Sequence, residues 1–414
     1  MSTVGTLWGH RDFTRLWAGE TVSQFGSAVT LVALPLVAVT LLAASPFEVG
    51  LLTAAETAGF LLVGLPAGAW VDRIRRRPLM VWMDVVRAAL LVTVPIAWWF
   101  GVLSLPQLLV VALTTGVATV FFDVAYQSYL PSLVGRPRLV EGNGKLETSR
   151  ALANVTGPAL GGGLVQLIGA ATTLLADAIS FAASALLLRT IRTVEPQPQR
   201  RERPDLRGEI VEGLRYVLRH PLLRAITACT GTANLFGGVV ASMTVLFLSR
   251  ELDLPAGVVG VLLALGGAGG LLGAVTASRW ISRIGQARTI WLVPLLVWPV
   301  ACLQPLARPG WGLALFVVGG VAFTYAGVVY NVAQVSFRQA VCPDRLLGRM
   351  NASIRFLVWG VLPLGGLLGG LLGELIGIRG TLAAGLIGHL AAAGWLLASP
   401  LRRLRDLPVD VAAV

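Results

Sequence analysis

The residues able to do chemistry in this chain are acids and amides set inside apolar stretches. Glu20, Gln24 and Ser27 recur at i, i+4 and i+7, so a helix would carry them on one face. Thr115, Thr119 and Asp123 repeat the pattern, with Phe122 and Tyr126 beside them. Thr227, Thr230 and Asn234 form a third stripe, and Thr324, Asn331, Gln334 and Arg338 a fourth. Glu56 stands with Thr53 and Thr57 and has no basic residue near it in sequence. A charged side chain at mid-membrane costs about 2.5–3.5 kcal/mol on insertion scales. Each acid therefore needs a partner, water or a bound proton, and function is the default reading. Glu56 is the first candidate for a group that loads and releases protons, with Glu20 and Asp123 as further candidates. A protonated structural glutamate would look the same.

Other chemistries lack their residues. His10, His220 and His389 are scattered, whereas a membrane enzyme needs a cluster of His, Asp or Glu at one depth. Cys229, Cys302 and Cys342 are odd in number and far apart, which leaves no disulfide framework and no CxxC metal site. Gly144 and Lys145 are followed by Leu146, so no Walker A loop is formed. No enzyme activity, metal or cofactor is expected.

The elements that position the stripes must lie in lipid. Apolar residues make up 55% of the 414 and charged residues 13%, with a mean hydropathy of +0.76, far from a soluble domain. A crossing helix needs about 20 apolar residues. Runs of that kind lie near 14–42, 46–71, 78–100, 106–130, 146–169, 172–190, 222–249, 256–280, 287–307, 311–337, 351–377 and 380–400. The chain divides into a six-span half at 1–190, a Pro-rich, charged cytoplasmic linker at 191–221, and a second half at 222–414. The linker ends in an amphipathic helix with Ile210, Leu214, Val217 and Leu218 on one face. The net charge of +12 concentrates in alternate loops, among them Arg73 to Arg77, Arg136 and Arg138, Arg200 to Arg207 and Arg402 to Arg405. That is the positive-inside pattern. It puts both termini in the cytoplasm and points to anionic lipid, not nucleic acid.

The halves resemble each other. A shift of 208 superimposes Asn143 on Asn351, Gly157 on Gly365, Gly161 on Gly369, Gly162 on Gly370, Gly169 on Gly377 and Asp123 on Asn331. A shift of 210 superimposes Gly50 on Gly260, Gly59 on Gly269 and Arg73 on Arg283. Such spacing fits a duplicated six-helix unit, the plan of transporters that rock about a central site.

Two motifs carry a resemblance to a known family. GAWVDRIRRR at 68–77 resembles the loop signature of the major facilitator superfamily, G-x-x-x-D-R-x-G-R-R, with Arg75 where the pattern has Gly. Gly68 permits close helix contact, and Asp72 at a helix C-terminus needs a cation to offset the dipole. Gly144, Ala153, Gly157, Pro158, Gly161 and Gly162 resemble the antiporter motif of drug:proton exchangers in that superfamily, G-x8-G-x3-G-P-x2-G-G, with Ala153 replacing one glycine. Small residues at this spacing make a face on which a neighbour can pivot, and Pro158 lets the helix bend. FTRLW at 13–17, SQFG at 23–26, YLPSLV at 129–134, GNGKLE at 142–147 and ADAISF at 176–181 resemble the branch that contains the enterobactin exporter and macrolide efflux pumps.

The resemblance implies an all-α membrane protein of twelve transmembrane helices in two pseudo-symmetric six-helix bundles. The superfamily lines its cavity with the first, fourth, seventh and tenth helices. That makes Gln24, Thr119, Phe122, Tyr126, Asn234, Tyr330, Asn331 and Gln334 candidate cavity residues, although for Gln24, Asn234 and Asn331 interhelical hydrogen bonding is an equal reading. Asp72, Arg73, Arg76 and Arg77, with Asp84 and Arg87 and with Glu147 and Arg150, read as an inner gate of ion pairs. The expected activity is proton-coupled export of a small organic molecule by a monomer in a bacterial plasma membrane, its partners being the solute, protons and lipid. An importer or uniporter of the same fold is the rival reading.

Overall fold

A computed structural model of the chain describes residues 7–71, 73–135, 138–193, 195, 206–342 and 344–406. With no water in hydrocarbon, every backbone N–H and C=O of a crossing segment must pair within it, and the apolar runs are accordingly helices: α1 (Arg11–Leu36), α2 (Pro46–Leu62), α3 (Gly64–Val71), α4 (Arg76–Trp99), α5 (Leu105–Val134), α6 (Leu139–Ile168), α7 (Ala170–Thr190), α8 (Leu206–Arg219), α9 (Pro221–Leu246), α10 (Ala256–Ile284), α11 (Gln286–Ala301), α12 (Leu313–Val341), α13 (Asp344–Trp359), α14 (Leu362–Ala391) and α15 (Ala393–Leu397). Helices α2 and α3, parted at Val63, together make the second span. The apolar stretch Ser353–Leu397 has 45 residues. At 1.5 Å per residue it would run to about 67 Å, twice the roughly 30 Å hydrocarbon layer. Gly377, at φ 76° and ψ 167°, breaks it into the eleventh and twelfth spans. The fold is all-α with twelve spans, as the hydropathy pattern led one to expect.

The duplication is written into the backbone. Helix α1 ends in a π turn, Val37–Leu41, and α9 in another, Phe247–Glu251. Ala43 and Asp253 follow them at φ 50° and 52°. Gly101 pairs with Gly310 and Gly169 with Gly377, all at positive φ. His10 Nδ1 accepts from Phe13 N at 3.1 Å and His220 Nδ1 from Leu223 N at 3.4 Å, so two of the three histidines cap the first helices of the two halves.

The chain forms two compact units. The first holds residues up to Ala44, 55–203 and the opening of α10 at 254–264. In it α1 lies against α6 and α7 because glycines remove the side chains between them. A Cβ on Gly161 would come 2.9 Å from Val29 O, and one on Gly19 3.2 Å from Ser184 Oγ. One on Gly162 would come 2.8 Å from Gly260 Cα. Gln166 Oε1 accepts from Gly257 N at 3.0 Å, satisfying a free N–H in the first turn of α10.

The second unit holds 45–54, 204–253 and 265 onward. Its glycines repeat the scheme. A Cβ on Gly238 would lie 3.0 Å from Gly365 Cα, one on Gly369 3.0 Å from Val239 Cα, and one on Gly366 2.8 Å from Ala54 N. Glu374 Oε1 accepts from Phe47 N at 3.2 Å in the first turn of α2, where the first unit uses Gln166. The amphipathic α8 buries Val217 against Leu223, Cys342, Leu346, Met350, Ile354 and Val358. Leu218, expected on the same face, is exposed, because α13 covers α8 along the Val217 line. Residues 194 and 196–205 of the linker lie outside the described residues.

Gly169 and Gly377 occupy a backbone region that is nearly closed to other residues. Gly169→Ala and Gly377→Ala are each expected to cost about 1–3 kcal/mol. Gly163→Ala, where a Cβ meets nothing within 4 Å, should leave the thermal unfolding midpoint in detergent unchanged.

Candidate functional site

The interior of the first unit is charged. Asp84 and Arg87, one turn apart on α4, are fully buried and form an ion pair. The Arg87 guanidinium lies 4.5 Å from the centre of the Phe122 ring and 4.0 Å from that of Phe181. It donates from Nη1 to Thr119 Oγ1 at 3.3 Å. Flat, delocalised and weakly hydrated, guanidinium is the cation best suited to such a slot. Arg87 stands eleven residues into α4, roughly 16 Å from its start. The pair thus lies near the middle of α4.

Glu20 on α1 accepts from Gln24 Nε2 at 2.7 Å, while its other oxygen is buried without a hydrogen-bond partner. It is within electrostatic reach of Asp123, Arg87 and Asp84. Tyr126, stacked on Phe122, lies within reach of Glu20 and Asp123. Asp177 on α7 accepts from Thr30 Oγ1 at 2.6 Å and from Ser180 Oγ at 3.0 Å. Gly26 admits that carboxylate, since a Cβ there would overlap it. The structure therefore gathers Glu20, Gln24, Thr119, Asp123 and Tyr126 around Asp84 and Arg87. Phe122 serves as a wall of the arginine slot.

Glu56 stands apart from this network. It has no hydrogen-bond or charged partner among the described residues, and burial alone acts on its carboxyl. Close by, α2 and α5 touch backbone to backbone, a Cβ on Gly59 coming 2.7 Å from Gly116 O.

The loop motif is only partly visible, since Asp72 lies outside the described residues. A Cβ on Gly68 would meet nothing within 4 Å. Helix α3 packs instead through buried Ala67 and Val71 and through Trp70, stacked at 5.9 Å on Phe121. Arg73 is exposed. Arg76 N and Arg77 N donate to the Glu195 carboxylate at 2.8 and 3.2 Å, and the Arg77 side chain donates to Ile191 O. An acid from the linker thus caps α4. Glu147 and Arg150 are exposed and form no ion pair with each other among the described residues. In the antiporter motif Gly144 faces open space, buried Ala153 packs, and Gly157 and Gly161 face α1. Gly162 meets α10, and the Pro158 carbonyl is what a Cβ on Gly260 would strike.

Among the described residues the second unit buries one charged side chain, Arg338, and no acid. A cavity of about 410 Å³ opens among Thr230, Asn234, Tyr330, Asn331, Trp359 and His389, with Trp298 and Phe323 completing its wall. Thr230 and Tyr330 share a hydroxyl hydrogen bond of 2.7 Å. Asn234 donates to Val358 O, and Gln334 Nε2 donates to Asn331 Oδ1 at 2.9 Å. The buried His389 places Nδ1 2.9 Å from Ala233 O. The sequence reading noticed Asp177 without giving it a role and left Trp298 and His389 out of the cavity. An acid and a histidine within apolar runs were the available signals for Asp177 and His389. Nothing local marked Trp298. Among the described residues no three of His, Cys, Asp or Glu could hold a metal ion.

This fold and this interior define a major facilitator transporter, not an enzyme. A family profile described as transmembrane secretion effector matches residues 6–411, and the chain belongs to that family. It is 29% identical over 411 residues, 95% of each chain, to the multidrug efflux pump Tap of Mycolicibacterium fortuitum. It is 26% identical over 349 residues to the enterobactin exporter EntS of Escherichia coli O1:K1, covering 83% of this chain and 80% of that one. The crystal structure of the nucleoside transporter NupG superimposes with a TM-score of 0.76 at 11% identity, over 94% of this chain and 98% of that one.

Removing one member of a buried ion pair strands the other, at a cost of about 3–5 kcal/mol. Arg87→Leu is expected to destabilise by that amount in a detergent melt. Asp84→Leu combined with Arg87→Met should recover most of it.

Proposed function

We propose that the protein exports a small organic molecule across a bacterial plasma membrane by alternating access, driven by inward protons that Glu56 carries. In this reading it works as a single chain in lipid, with both termini in the cytoplasm.

The observation that supports it is the asymmetry of two halves whose backbones match. At the duplicated positions Glu20 faces Thr230, Glu56 faces Gly266, Asp84 faces Pro294, Arg87 faces Val297, Asp123 faces Asn331 and Asp177 faces Gly385. Packing alone does not require these charges, since the second half builds the same helices without them. Arg87 answers Asp84, and hydroxyls answer Asp177. Glu56 is answered by nothing described, which leaves it free to exchange a proton. The direction of transport comes from the names of the relatives, a multidrug efflux pump and an enterobactin exporter. One proton moving inward supplies about 2.3 kcal/mol per 100 mV.

Glu56→Gln should abolish substrate-dependent proton flux in inverted vesicles while the protein still reaches the membrane. Flux at the wild-type rate would reject Glu56 as carrier, and accumulation of a labelled solute in intact cells would reject export.

A further inference from the structure

The cavity of the second unit is lined by His389 and Trp298, each of which has a ring nitrogen without a hydrogen-bond partner among the described residues. His389 Nδ1 lies 2.9 Å from Ala233 O. A carbonyl oxygen only accepts, so Nδ1 carries the proton and the neutral ring presents Nε2 as a lone pair. Nε2 makes no hydrogen bond to any described residue. The ring cannot swing away to find one, because Trp298 meets it edge to face at 4.4 Å and Phe323 lies at 4.6 Å. On the adjoining ring, Trp298 Nε1 is buried and also unpartnered. Unsatisfied polar atoms of this kind are rare enough in folded proteins to need a reason.

Resting on the export reading above, we propose that this cavity binds an uncharged planar aromatic bearing a phenolic hydroxyl, and that His389 selects it by accepting the hydroxyl proton. A phenolic hydroxyl donates one hydrogen bond, so it complements the acceptor on His389. The walls supply the faces of Trp298, Phe323, Tyr330 and Trp359 for an aromatic body. About 410 Å³ falls within the usual 300–1,000 Å³ range of small-molecule sites. No residue of the lining is a carboxylate, lysine or arginine, so an ionised ligand would be desolvated without a counter-charge. One Asn234 amide N–H is taken by Val358 O, which leaves the Asn234 carbonyl oxygen as a second acceptor. The Thr230 and Tyr330 hydroxyls bond to each other, with Ile226 O as acceptor for the remaining proton, while the Asn331 side chain, whose oxygen takes Gln334 Nε2, adds amide donors to the lining. The duplication makes the point by contrast. His389 and Tyr330 stand where the first half has Phe181 and Phe122, the rings that clasp the Arg87 guanidinium, and there the slot is filled by the protein itself.

The dimethyl ether of naphthalenediol keeps the ring and both oxygens and carries methyl groups in place of the hydroxyl protons. Calorimetric titration of the full chain in nanodiscs should show the diol binding about three- to tenfold tighter, the worth of one net hydrogen bond. His389→Phe keeps the ring and removes the acceptor. It should bring the diol down to the affinity of the ether, which itself stays within about twofold, while His389→Gln should restore part of the preference. Equal wild-type affinities, no binding of either probe, or a preference that survives His389→Phe would overturn the proposal, and the wild-type comparison decides even if that variant does not fold. Proton-driven uptake of the probes into inverted vesicles separates the two readings. Uptake without discrimination sinks this inference and spares export. Discrimination in binding with no uptake of either probe sinks export and supports the site.

Discussion

In hydrocarbon a leucine gains nothing by leaving lipid for another helix, so two helices hold together only as far as their backbones approach and their polar groups meet. The glycines of α6 and α14 are where this constraint acts. Gly157 and Gly161 bring α6 onto α1, and Gly365 and Gly369 bring α14 onto α9 at the duplicated positions. On the other flank Gly162 receives the opening of α10 and Gly370 the opening of α2. A side chain at any of these six positions would separate the surfaces by the width of a methyl group or more. Everything placed by α1 and α9, including Glu20 and Asn234, inherits its location from these contacts.

Close backbones leave little room for water, and that determines how charge is tolerated. In the first unit Arg87 is flanked by Phe122 and Phe181 and paired with Asp84, and Asp177 receives two hydroxyls. These groups are held by design of the packing, because removing any partner leaves a charge with no solvent to turn to. Glu20 is half answered by Gln24, and Glu56 is not answered. The gradation runs from fully paired groups to a carboxyl with no hydrogen-bond partner among the described residues.

The twelve spans were legible because span length and apolarity are set by the bilayer itself, and the duplication because glycines needed for close approach must recur in place. The stripes were legible on α1, α5, α9 and α12 for the same periodic reason. What stayed hidden was tertiary. Asp84 and Arg87 look like an end-of-helix pair in one dimension, and only the bundle reveals that α5 and α7 close over them. Gly68 and Gly144 match motifs yet meet open space, since a spacing rule says which residues could touch, not which face a neighbour takes. The Glu195 cap on α4 comes from a linker without periodicity, so no pattern announced it. Helix α8 was read correctly as amphipathic, but the line it buries was set by α13, some 130 residues on in the chain.

A duplicated fold begins with the same interior twice, and the two copies here have diverged along one axis. Where the first copy keeps acids, the second has Thr230, Gly266, Pro294, Asn331 and Gly385. Where the first fills its slot with Arg87, the second sets Trp298 against His389 beside a cavity. If the first copy carries protons and the second the solute, as proposed, the division would have a physical advantage. A carboxyl that must gain and lose a proton changes its charge in every cycle, and at low dielectric that change is felt strongly by anything nearby. An uncharged ligand held among aromatic rings in the other copy is spared most of this perturbation. Proton and solute would then communicate through the positions of the helices, which the glycine contacts fix, and not through direct attraction between their charges.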